Sequence, residues 1–165
     1  NSILIGSRWN LVNRVTKLSE KFWITNGKLW KNENWFKDFN MNTINDFLKN
    51  HDTKWYLEKR YHLVQKANEY ITKEEPWTKY KDDSTKAKAV ECLEFLLYIV
   101  KNLTVLSAPI LVESFEKIKN ILWTDILNWL TTDTNGSFEV REKAFNTTDF
   151  NVNIQSEIIY PRIEE

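Results

Sequence analysis

Between Thr53 and Glu75 apolar residues return at helical spacing, at Leu57, Tyr61, Val64, Ala67 and Ile71. That period fixes one long amphipathic helix with a buried face and a wet one. Pro76 stops it, because proline lacks a backbone N–H and drives the residue before it away from α geometry. A helix is therefore expected over 53–75, with Trp77 held at a sharp chain reversal just beyond, where its flat ring can stand clear of the helix face. Three glycines and three prolines in 165 residues favour more long helices and argue against a turn-rich β fold.

The remaining segments read the same way. Over residues 3–23, Leu4, Leu11, Val15, Leu18 and Phe22 form a helical stripe. Asn10 and Arg14 share the face beside it, and spacing alone reads them as solvated surface. Residues 24–42 form a polar connection, with a short helix near Glu33–Asp38 and with Trp30, Trp35, Phe36 and Phe39 pinning it to the bundle. Thr43 can cap a short helix holding Ile44, Phe47 and Leu48. Asp82-Asp83-Ser84 reads as a break and N-cap. After it, Ala89, Leu93, Leu96, Val100 and Leu103, with Val90 and Leu97 beside them, mark a central helix with neighbours on two sides. Ser107-Ala108-Pro109 reads as a cap followed by a first-turn proline, leading into Leu111, Phe115, Ile118 and Leu122. Trp123-Thr124-Asp125 opens one more short helix. The expected fold is all-α: a single domain over 1–165, with a bundle of about five helices over 1–130. An irregular tail over 131–165 lays its apolar end, Ile158 to Ile163, back on that bundle.

Charge and composition limit the function. Twenty-three basic and 23 acidic side chains balance, so a nucleic-acid partner would have to be met locally rather than by bulk charge. Arg8, Arg14, Lys17 and Lys21 face a single acid, Glu20, so the first helix is the basic face. From Asp125 onward eight acids outnumber three bases. Eight tryptophans are more than a core this size needs and suggest surface stacking. The lone Cys92 allows no internal disulfide, suits a reducing compartment, and reads as a small core filler. No apolar run approaches the roughly 18 residues of a membrane span. The start, Asn1-Ser2-Ile3, lacks an initiator Met and suggests a piece of a longer protein. Two histidines and one cysteine make no metal cluster, and His62 reads as ordinary helix surface or core. The glycines, at 6, 27 and 136, build no phosphate loop, and no nucleophile motif occurs. The N-x-S/T triplets at Asn102, Asn135 and Asn146 read as chance in an Asn/Thr-rich chain.

Several stretches also carry a resemblance. Asn10-Leu11-Val12-Asn13-Arg14, Ala67-Asn68-Glu69-Tyr70-Ile71 through Pro76-Trp77, Leu106-Ser107-Ala108-Pro109 and the closing Ile159-Tyr160-Pro161-Arg162-Ile163-Glu164 occur in this order along nearly the whole chain. Together they resemble the C-terminal anticodon-binding domain of methionyl-tRNA synthetase, a class I enzyme. Trp9 departs from the family, which has a small residue before the first motif's Asn. The resemblance implies recognition of the CAU anticodon of tRNA(Met), with Asn10, Arg14 and Trp77 as the anticodon-contacting residues. It also implies an upstream catalytic domain that uses ATP, and a cytoplasmic enzyme without a DNA or membrane partner. Beside that trio, Lys17, Lys21, Lys79 and Lys81 could touch RNA phosphates. No catalytic residue, metal or cofactor is expected within the domain itself, so the chain alone should not activate methionine. Two other readings stay open: the related domain of a leucyl, isoleucyl, valyl or cysteinyl enzyme, and a helical protein-interaction module using its tryptophans as anchors.

Overall fold

The computed structural model describes residues 2–30, 35–36, 42, 46, 49–50, 53–122, 124–128, 130 and 138–155. Helix α1 spans Ser2–Lys21, strand β1 Asn26–Lys28, helix α2 Thr53–Glu74 and the one-turn α3 Pro76–Lys79. Then come α4 (Lys86–Ser107), α5 (Val112–Leu122), the short α6 (Asp125–Asn128), α7 (Phe138–Asn146) and strand β2 (Asp149–Asn151). The described chain is thus a helical bundle with one small sheet.

Helix α4 is the axis of the bundle. From Phe95 to Ser107 every residue on it is buried, as expected for a helix packed on more than one side. Contacts ascend together along α1 and α2: Asn68 Nδ2 donates to the Ser7 carbonyl, and Arg14 to the Thr72 hydroxyl. Against α4, α2 runs the other way, with Tyr70 edge-on to Phe95 and the Tyr56 hydroxyl donating to the Leu106 carbonyl. The stripes of α1 and α2 supply the facing core, with Leu11, Val15, Ala67 and Ile71 fully buried. Each large aliphatic side chain removed from water contributes about 1.5–3 kcal/mol.

The aromatic connection pins as expected where it is described. Trp35 stands edge-on to both Tyr70 and Phe95, and Phe36 to both Tyr98 and Phe145. Trp30 stays exposed and donates to Glu94. Phe39, most of the 33–38 helix, Thr43 with Ile44, Phe47 and Leu48, and the apolar end from Ile158 lie outside the described residues, while Asn42, Asp46 and Lys49 are helical.

Three features depart from the sequence reading. First, the chain after residue 131 holds α7 and β2. Strand β2 pairs antiparallel with β1, Gly27 opposite Phe150. A side chain at 27 would overlap the Phe150 ring, so the glycine admits the aromatic and sets the register. Second, Ser107 does not cap the next helix. It is the last residue of α4, and its buried hydroxyl turns back to the Leu103 carbonyl, as serine does inside a helix; α5 starts only at Val112. Third, Arg8 leaves the basic face, being buried at 4% exposure. Arg60 and Arg141 are buried as well. Tyr56 lies among the three arginines, which all act on it electrostatically.

Candidate nucleic-acid interface

Helix α2 ends as the proline dictates. Glu75 takes a left-handed conformation, φ 45° and ψ 55°, and Pro76 opens α3 at its first position. Pro76 itself is buried and Trp77 half-buried, its ring packed against the core. The elbow therefore presents the indole partly to solvent and anchors the rest of it.

Arg14 reaches this elbow from α1. Its guanidinium carbon lies 5.7 Å from the centre of the Trp77 ring, within cation–π range. Its Nη2 donates to Thr72 Oγ1 at 3.1 Å, and that hydroxyl donates to the Asn68 carbonyl at 2.8 Å. The arginine fork is thus held by one bond while other donors remain to be used. Asn10, one helical turn before Arg14, is exposed. A shallow groove of about 420 Å³ runs between α1 and α2, lined by Asn10, Arg14, Asn68, Glu69, Thr72 and Lys73. Arg14 thus links the groove that holds Asn10 to the Trp77 ring. Asn68, Glu69, Thr72 and Lys73 are not among the expected site residues, although the pairs Asn68/Thr72 and Glu69/Lys73 are each four apart on a helix and so share a face.

The expected phosphate contacts divide. Lys17, Lys21 and Lys81 are exposed. Lys79 is engaged at 2.7 Å with Glu74, which binds the end of α2 to α3. Trp9, the departure from the family, is partly buried and packs against the core. His62 is exposed beside Tyr61, and no group of metal-ligating side chains occurs among the described residues. No described helix is long and apolar enough to cross a membrane.

The described residues thus form a helical bundle with a shallow groove between α1 and α2 and an arginine-contacted indole at the elbow after α2. The family described as the anticodon binding domain of methionyl tRNA ligase matches residues 39–153, and the chain belongs to it. That match contains Trp77 and leaves out α1. Three relatives extend the comparison, each a methionine–tRNA ligase. Those of Borrelia duttonii (strain Ly) and Borrelia turicatae (strain 91E135) are 29% and 30% identical over the whole chain, which covers 21% of each. That of Bacillus mycoides (strain KBAB4) is 28% identical over 81% of this chain and 25% of its own length. The chain spans between a fifth and a quarter of the length of these relatives.

Proposed function

We propose that this chain reads the CAU anticodon of tRNA(Met) on behalf of an ATP-dependent methionine–tRNA ligase. The observation that carries the reading is the convergence of Arg14 on Trp77 beside the groove that also holds Asn10. Sequence-specific RNA recognition works on splayed loop bases, stacked on aromatic rings and bonded along their edges. Trp77 takes the first anticodon base on its exposed side, a contact of about 1–3 kcal/mol. Asn10 supplies a donor and an acceptor, and Arg14 a fork of donors, for the base edges that follow. Lys17, Lys21 and Lys81 are placed on the surface to meet phosphates, which explains how a neutral domain holds RNA. ATP and methionine are handled by the remaining part of the ligase, in the cytoplasm, and the domain works as one unit without catalysis of its own.

The test is binding of the chain to a synthetic RNA hairpin with a CAU loop, in a salt series, against hairpins with changed anticodons. The CAU hairpin should win, and Trp77→Ala should weaken it about tenfold or more. Equal affinity for every anticodon rejects the reading.

A further inference from the structure

We infer that Trp23 is a second stacking platform, receiving an unpaired loop nucleotide outside the anticodon triplet. The inference rests on the anticodon reading above and extends it along α1.

The observation is a tryptophan where a glycine belongs. Helix α1 closes with the Ile24 N–H bonded to the Ser19 carbonyl at 2.8 Å and the Trp23 N–H to the Glu20 carbonyl at 3.2 Å. That pair of bonds is a Schellman ending, whose left-handed residue is usually glycine. Here the residue is Trp23, at φ 57°, a conformation in which a bulky side chain is strained. The indole gains little from packing in return, since it is 86% exposed. Strain held at a solvent-facing aromatic points to a use outside the fold.

The surroundings say what that use is. Lys21 and Thr25, two residues to either side, are exposed and polar, and so is Lys17 one turn before Lys21; the Lys21 amine stands 5.7 Å over the neighbouring Phe22 ring. Cations beside a lone aromatic are the combination that holds single-stranded nucleic acid. The turn is also fixed to the proposed site. Phe22 stacks on Tyr80 at 3.9 Å, and the Tyr80 hydroxyl donates to the Phe22 carbonyl at 3.2 Å. Tyr80 closes α3, the turn that carries Trp77. From Arg14 to Lys21 the helix rises about 10 Å, and Trp23 lies two residues beyond, a separation that nucleotides of one loop can span.

The experiment compares the chain with Trp23→Gly and Trp23→Phe on the CAU hairpin and on a hairpin with a changed anticodon. Glycine relieves the backbone, so Trp23→Gly should melt about 2–4 °C higher than the parent. It should nonetheless bind both hairpins about tenfold more weakly, leaving the preference for CAU intact, because stacking tolerates any base. Trp23→Phe should recover part of the affinity. If Trp23→Gly binds as tightly as the parent while the parent still prefers CAU, the Trp23 inference is overturned and the anticodon reading stands. If the parent shows no preference for CAU, the anticodon reading fails and this inference falls with it.

Discussion

Lys101 and the pair Arg8 and Arg60 are all cations taken out of water by the same bundle, and the bundle treats them in opposite ways. The Lys101 amine donates to the carbonyls of Ala144 and Thr147 at 2.7 and 2.8 Å and to that of Phe145 at 3.2 Å. These are carbonyls that the end of α7 would otherwise leave open. The rings of Tyr98 and Phe150 flank the amine at 5.0 and 5.4 Å. At the other site, Arg8 Nη1 and Nη2 and Arg60 Nε and Nη2 are buried with no acceptor. Burial lowers the pKa of both, to about 10 for Arg60 and well below its ordinary value for Arg8, and Arg60 adds repulsion to Arg8. The Lys101 charge ties α7 to α4. At Arg8 and Arg60 charge is a cost, offset by the packing of long apolar stems.

The contrast can be broken most directly at Lys101. Lys101→Met should destabilise the chain by about 3 kcal/mol, read as the shift of a urea midpoint, because it orphans three carbonyls, two of them buried. A loss under about 1 kcal/mol would put this lysine in the same class as the arginines. Arg60→Met should go the other way, gaining about 1–2 kcal/mol, since an apolar side chain of similar size replaces an unpaired buried charge. A loss as large as that at Lys101 would show that Arg60 has found acceptors in solution.

A pH series sharpens the comparison further. Burial pushes the Lys101 amine down to about 7 from 10.5, so the folded chain sheds this proton before the unfolded one does. Stability should therefore rise as pH climbs above about 7, by at most about 1.4 kcal/mol per unit, and this gain is lost as pH falls back through about 7. Lys101→Met should lack the rise; a parent profile equally flat would mean that the carbonyls hold the full ammonium. The smallest effect is expected at Arg14, which has a hydroxyl partner and access to solvent. Arg14→Ala should change stability by less than about 0.5 kcal/mol while weakening the CAU hairpin about tenfold, a split that neither buried arginine would give.

Much of this bundle could be read from periodicity. The stripe ending at Ile71 and the proline behind it place the end of α2 and the elbow correctly. The central position of α4 follows from its wide apolar arc. Arg8 was misplaced because charge was counted without regard to face: it falls four residues after Leu4 and three before Leu11, on the stripe itself. Ser107 has the composition of a cap, but composition does not say which way a buried hydroxyl turns. The strand pair escaped because three residues such as Asn26-Gly27-Lys28 are too short to show alternation, and only the glycine hints at an aromatic opposite. At the site, spacing could put Asn10 beside Arg14. Bringing Trp77 to the same place needs the packing of α1 on α2, and there only the family likeness pointed the way.

The sheet has one more consequence. Its two strands come from near the two ends of the described chain, and the Leu29 and Val152 amides extend the pairing to Thr148 and Thr25. Closing so large a loop is entropically unfavourable until the helices between have assembled. The sheet is therefore a latch set last, and in a refolding pulse-labelling experiment those two amides should be the final ones to resist exchange.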